Sequence, residues 1–183
     1  MVAITSLLDN THSVKVTELT ENLERSFGLK GVKMTPYPHL TLLTAEVPDM
    51  EELKEYLEQI CLETPVFNIR TTGLGIFPGK IPVIYIPVLR TPPLNQLHSR
   101  LHRDIAEMSS EMGVFYNPNM WLPHISLALG DTSPEVLGPV LSFLNNYNFN
   151  WEINLNNLTI LQKCGDYYLK EDEFRFGRPE LIL

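Results

Sequence analysis

The chain is poor in cysteine. Cys61 and Cys164 are the only two in 183 residues, too few for a disulfide framework or a cysteine-built metal cage. No apolar run reaches the roughly 18 residues that a membrane-spanning helix requires. The opening MVAITSLLDNTH has no basic n-region and too short an apolar stretch for a signal peptide, so a cytoplasmic protein with no membrane contact is expected. On that expectation the N-x-T match at Asn157 to Thr159 is a chance occurrence. Long basic stretches are also missing: the formal charge is −8, the pI is near 5.1, and the densest basic patch is HSRLHRD, His98 to Asp104. Proteins that grip long nucleic acid neutralise phosphates with a basic stripe, so long RNA or DNA is not an expected partner. A small anion stays compatible, because a pocket can be positive inside an acidic protein.

What remains is a soluble globular composition, 44% hydrophobic and 20% charged, of a size for one domain over 1–183. Periodicity predicts strands at 2–8, 37–45, 66–77, 81–89, 121–129, 149–163 and 167–176, and helices at 13–29, 49–62, 93–112 and 134–146. Asp49 is a suitable N-cap for the second helix, and two prolines place IPVIYIPVL at a sheet edge or a bulge. The order strand, helix, strand, helix, strand fills 2–77 and again 81–163, and a hairpin strand at 166–177 follows. The expected fold is α+β and bilobal: duplicated units, two antiparallel sheets flanking a central groove, helices outside.

The duplication carries a motif. PHLTLL (Pro38 to Leu43) and PHISLA (Pro123 to Ala128) share proline, histidine, aliphatic, hydroxyl, aliphatic in register. His39 precedes Gly75 by 36 residues, and His124 precedes Ile160 by the same 36. Side chains alternate along a strand, so His39 and Thr41 share one face while Leu40 and Leu42 share the other, and His124 and Ser126 repeat this. Imidazole and hydroxyl then stand about 6.5–7 Å apart along the strand, a spacing that can hold a phosphate. Two such pairs facing one another suit in-line displacement at phosphorus. One histidine takes a proton from water and the other gives one to the departing oxygen, and an unperturbed pKa near 6.5 allows both states near neutrality. The hydroxyls stabilise charge on the equatorial oxygens. Nothing in this scheme calls for a metal or cofactor.

The pair PHLTLL and PHISLA resembles the twin H-x-[T/S]-x signature of the 2H phosphoesterases, the superfamily of bacterial 2′–5′ RNA ligases and cyclic phosphodiesterases. The resemblance extends over nearly the whole chain, including AITSLLD as a first strand. It implies that His39, Thr41, His124 and Ser126 are catalytic, with His39 the acid and His124 the base. It also implies metal-independent opening of a 2′,3′-cyclic phosphate, or of a related cyclic or 2′–5′ linkage, in a small nucleotide-type substrate. Ser126 stands where many members have Thr, and the hydroxyl is kept. The competing readings are a non-catalytic nucleotide-binding module on the same scaffold and a ligase or hydrolase acting on tRNA ends. A monomer is expected.

Other features bear less weight. Tyr37, Phe77, Lys80 and Trp121 are the expected substrate contacts, with Tyr85, Tyr167 and Tyr168 as further aromatics and Arg70, Lys163 and Arg175 as further cations. His98 and His102 have the i, i+4 spacing of a zinc pair, but without the Glu of a metalloprotease motif they read as a solvated helix face. GLGIFPGK fits neither phosphate-loop spacing and reads as a turn. His12 is expected at the surface.

Overall fold

The structure is a computed structural model describing residues 1–177; residues 178–183 of the expected domain lie outside the described residues. Ten strands and four α-helices alternate as β1 (Val2–Leu7), α1 (Asn10–Phe27), β2 (His39–Glu46), α2 (Met50–Glu63), β3 (Phe67–Arg70), β4 (Gly75–Phe77), β5 (Val83–Pro87), α3 (Pro92–Met108), β6 (Glu111–Met112), β7 (His124–Ala128), α4 (Pro134–Leu144), β8 (Glu152–Leu155), β9 (Asn157–Cys164) and β10 (Tyr167–Arg175). All strand pairs among the described residues are antiparallel. The fold is α+β, as expected.

Local chemistry explains the boundaries. Asp49 caps α2 by accepting from the amides of Glu51 and Glu52, and Asp9 does the same for α1 through His12. Gly28, at φ +74°, closes α1 in the left-handed conformation that glycine tolerates. The expected strand 66–77 is two strands, broken where Gly73 turns at φ +58°. The expected strand 149–163 is likewise divided, with Asn156 between β8 and β9. α3 stops at Met108, earlier than its periodicity suggests, because Ser110 donates to the Glu46 carbonyl and Glu111–Met112 pairs with β2. β5 is central, so of the expected edge or bulge it is the bulge that is found, where its register with β7 shifts between Ile84 and Tyr85; Pro82 precedes the strand and Pro87 is its last residue.

The main sheet has order β10-β9-β1-β2-β6 and a second has β4-β5-β7, with β3-β8 forming a separate ribbon. The two motif sheets are built alike, β9-β1-β2 matching β4-β5-β7. Their third strands are exchanged: β9, late in the chain, pairs with β1, and β4, from the first half, pairs with β5. The expected lobes 2–77 and 81–163 therefore do not coincide with the sheets, because each sheet needs strands from both halves. Helices follow the same exchange. α3 packs on β2, α2 on β9 and β10, and α1 on β7 and α4. One hydrophobic cluster joins them, including Ile4, Leu40, Leu42, Leu57, Ile86, Leu101, Ile125 and Ile160.

Asn157 secures the end of β1 opposite the first motif. Its amide donates to the Leu7 carbonyl at 2.9 Å and its oxygen accepts from the Leu7 amide at 2.9 Å, continuing the β1-β9 ladder with a side chain. Leu7 in turn pairs with His39. Replacement of Asn157 by Ala leaves two backbone groups without partners, and a loss of roughly 2 kcal/mol is expected. The check is the urea midpoint of the variant against wild type; an unchanged midpoint would show that water replaces the side chain without penalty.

Candidate active site

Proline shapes each motif. The Pro38 carbonyl accepts from the Leu8 amide at 3.1 Å, and the Pro123 carbonyl accepts from the Val88 amide at 2.9 Å. The carbonyl before each proline is left to the histidine. His39 Nδ1 donates to the Tyr37 carbonyl at 2.6 Å, and His124 Nδ1 donates to the Leu122 carbonyl at 2.7 Å. A carbonyl only accepts, so both rings carry hydrogen on Nδ1 and work through Nε2.

A bulge follows each motif hydroxyl. Thr41 pairs with Thr5, Leu42 is skipped, and Leu43 pairs with Ile4. Ser126 pairs with Tyr85, Leu127 is skipped, and Ala128 pairs with Ile84. An extra residue in one strand bends it and re-aims its neighbours. Its repetition beside Thr41 and Ser126 shows that the duplication extends to backbone detail. The aliphatics behave as alternation requires: Leu40, Leu42, Ile125 and Leu127 are buried, whereas His39, Thr41, His124 and Ser126 are half-buried.

The strands converge. β2 and β7 approach within 8 Å between Cα atoms although no ladder joins them. A cleft of about 230 Å³ contains His39 from one motif and Ser126 from the other, lined further by Thr17, Thr20, Lys33 and Tyr37. Burial lowers the pKa of both imidazoles, opposed in each by the carbonyl bond; for His39 the charge of His124 lowers it further. The rings thus sense each other, and protonating both is disfavoured.

The surroundings of the two rings differ. The His124 ring lies 5.1 Å from Phe77 and 5.1 Å from Tyr85, which stack on each other at 4.2 Å. Gly75 permits this, since a Cβ there would lie 2.3 Å from the Tyr85 ring. Tyr37 lines the cleft beside His39, and Phe77 meets the His124 ring. Lys80 is exposed on the β4–β5 turn.

Trp121 is a correction. It is 3% exposed and belongs to the core, where its ring lies flat on His98 at 3.7 Å and its Nε1 donates to the Thr41 carbonyl at 3.2 Å. It supports the motif strand from behind. His98 is fully buried, not on a solvated face, because Trp121 and the β2 backbone cover it; its centroid lies 6.3 Å from that of His102. His12 is buried too, its Nδ1 bound to Asp9 and its ring tilted over Trp151. Among the described residues, no three His, Cys, Asp or Glu side chains are grouped to hold a metal ion.

Several contributors escaped the sequence reading, Thr17, Thr20, Lys33 and Tyr116 among them. Lys33 lines the cleft while paired with Glu24, and only the path of a short 3₁₀ turn at 31–34 brings it there. Tyr116, on a second 3₁₀ turn at 114–116, packs its phenol against the Thr41 hydroxyl; burial raises its pKa and that hydroxyl opposes the rise. The basic patch at 98–104 is neutralised: Arg100 pairs with Glu63 and Asp104, and Arg103 with Asp104. Arg70 pairs with Glu152 on the β3-β8 ribbon, and Arg175 with Glu173.

Comparison with known proteins decides the family. The family model described as "2'-5' RNA ligase superfamily" matches residues 9–166. The chain belongs to the 2′–5′ RNA ligase superfamily, the 2H phosphoesterases. Two curated relatives are each named "Putative phosphoesterase". One, from Geobacillus sp. (strain WCH70), is 33% identical over 49% of this chain; the match spans 50% of that protein's length. The other, from Oceanobacillus iheyensis, is 28% identical over 68% of this chain and 70% of its own. Among solved structures, TT0787 of Thermus thermophilus superposes with a TM-score of 0.64 at 18% identity, covering 98% of both chains. A structure described as a phosphoesterase superposes at 0.56 and 16% identity, covering 96% of this chain and 97% of its own. These two bear on the fold.

The support behind the motif makes a pH prediction. Burial pushes the His98 pKa down to about 4, helped by the charges of His102 and Arg90 and opposed by the nearby carbonyls of Tyr116 and Leu42, with neither ring nitrogen in a full hydrogen bond. The unfolded chain binds this proton near pH 6.5 and the folded chain does not, so the contribution is complete above pH 6.5 and is lost as pH falls towards 4. Roughly 2 kcal/mol should be lost by pH 5. His98→Phe keeps the stacking and should flatten that part of the stability–pH curve in urea titrations; an equal slope in both proteins would show that His98 is not its source.

Proposed function

We propose that this 2H phosphoesterase opens a 2′,3′-cyclic phosphate, or a closely related cyclic or 2′–5′ linkage, on a small nucleotide-type substrate by paired-histidine catalysis. The observation that carries the reading is the repeated fixing of two imidazoles through Nδ1 on strands within 8 Å of each other, which leaves both Nε2 atoms for proton transfer. A phosphorus atom between them meets one imidazole and one hydroxyl from each strand.

Water attacks phosphorus in line with the departing ribose oxygen. A neutral imidazole takes the water proton at Nε2 as the new P–O bond forms, and a protonated imidazole gives its Nε2 proton to the ribose oxygen as the old bond breaks. Family likeness assigns His124 to the first role and His39 to the second. The Thr41 and Ser126 hydroxyls donate to the non-bridging oxygens, and Lys33 adds positive charge at one side of the cleft. A pure binder would need no such pair of proton-transfer groups.

Turnover of 2′,3′-cyclic AMP tests the reading, with AMP binding measured in parallel. His39→Ala and His124→Ala should each lower the rate by 10²-fold or more while leaving the fold intact by circular dichroism. Because both imidazole pKa values are lowered from 6.5, the plot of kcat/KM against pH should be a bell centred on the acid side of that value, its limbs belonging to the pair. Near-normal turnover by either variant, or AMP binding without turnover by the wild type, would refute the proposal.

A further inference from the structure

Between α1 and β2 the chain runs through residues 30–38, and this segment supplies much of the cleft wall: Val32, Lys33, Thr35, Pro36 and Tyr37 lead up to His39. Its internal backbone bonds, Lys33 to Lys30 and Thr35 to Val32, belong to one 3₁₀ turn. A single turn is a weak unit, so the place of the segment depends on what holds its two ends.

The end beside the histidine is held by the first half of the chain, where the Leu8 amide donates to the Pro38 carbonyl at 3.1 Å. The far end is held by the second half. Asp131, just past the end of β7, accepts from the Lys30 amide at 2.6 Å and from the Gly31 amide at 2.7 Å, both through Oδ2. A carboxylate on two amides makes charge-assisted bonds, stronger than neutral ones. The approach is close. A Cβ on Gly31 would lie 2.0 Å from the Leu129 carbonyl oxygen, and the 3₁₀ turn comes within 8 Å of β7 between Cα atoms.

We propose that Asp131 is a positioning residue for the reaction proposed above: its carboxylate docks the 30–33 end of the segment onto the end of β7 and so sets Lys33 against Ser126 across the cleft. The inference deepens that proposed function and rests on it. Lys33 is the one lysine or arginine among the described residues lining the cleft. A lysine stem is flexible, so the backbone beneath it decides where its charge can meet a phosphate oxygen. Pro38 is tied separately to Leu8, so release of the far end shifts Lys33 and leaves the Nδ1 bond of His39 in place. Asp131 therefore acts on substrate binding and not on proton transfer.

Steady-state turnover of 2′,3′-cyclic AMP by Asp131→Ala and Asp131→Asn tests this. Asp131→Ala should raise KM about tenfold with kcat within about twofold of wild type. Asn keeps an oxygen able to accept from both amides, so Asp131→Asn should hold KM near the wild-type value. Gly31→Ala, whose Cβ meets the Leu129 carbonyl, probes the same docking independently and should raise KM alike. On a Lys33→Met background Asp131→Ala should add little, because the charge that it places is gone. An unchanged KM in Asp131→Ala or Gly31→Ala, equal damage from Asn and Ala, or full additivity with Lys33→Met overturns the assignment. If the wild type does not turn the substrate over, the catalytic proposal fails separately. Titration of the same proteins with inorganic phosphate then decides the positioning role: weaker binding by Asp131→Ala than by Asp131→Asn upholds it, and equal binding rejects it.

Discussion

Two short hydrogen bonds, each from an imidazole Nδ1 to a carbonyl two residues earlier, carry the organisation of this site. They choose the tautomer, fix the ring plane and leave a single nitrogen on each histidine to act. The proline between carbonyl and histidine makes the bond possible. It has no amide hydrogen to compete, its φ is fixed, and it holds the residue before it extended. Tyr37 and Leu122 differ entirely as side chains and contribute the same backbone oxygen. What the motif preserves is therefore a backbone geometry as much as a set of functional groups, and the bulge after each hydroxyl belongs to it.

Burial then sets the electrostatics. Two half-buried imidazoles close enough to feel each other hold one proton more readily than two. Negative charge brought between the rings would reverse part of that penalty. Behind the site, Trp121 and His98 form a flat, buried support tied to the motif strand by the indole bond to the Thr41 carbonyl.

The motif residues were legible in the sequence because strand alternation and duplication are both one-dimensional signals. Helix positions were legible for the same reason, with Asp49 marking the start of α2 as its chemistry suggests. Trp121 was misplaced because nothing in the sequence shows that His98, on α3, presents a parallel ring to it. Tyr116 and Lys33 were missed because they sit on one-turn 3₁₀ segments with no periodicity, and their place depends on where the loops cross the sheet. The pairing of β6 with β2 was hidden for a related reason: two residues are too few to carry a pattern, and the helical period ran on through them.

The exchange of third strands has a consequence for how the chain assembles. β1 leaves the ribosome before every other strand among the described residues, yet it sits between β2 and β9, and β9 begins only at Asn157. The ladder on that side of β1 joins residues more than 150 positions apart and closes only when most of the chain is available. Contacts of such long sequence separation slow folding, since the loop entropy is lost before the pairing is gained. Until β9 docks, β1 presents an unpaired edge, and vectorial synthesis keeps that edge open while everything between the two strands is being made. An early strand must wait for a late one.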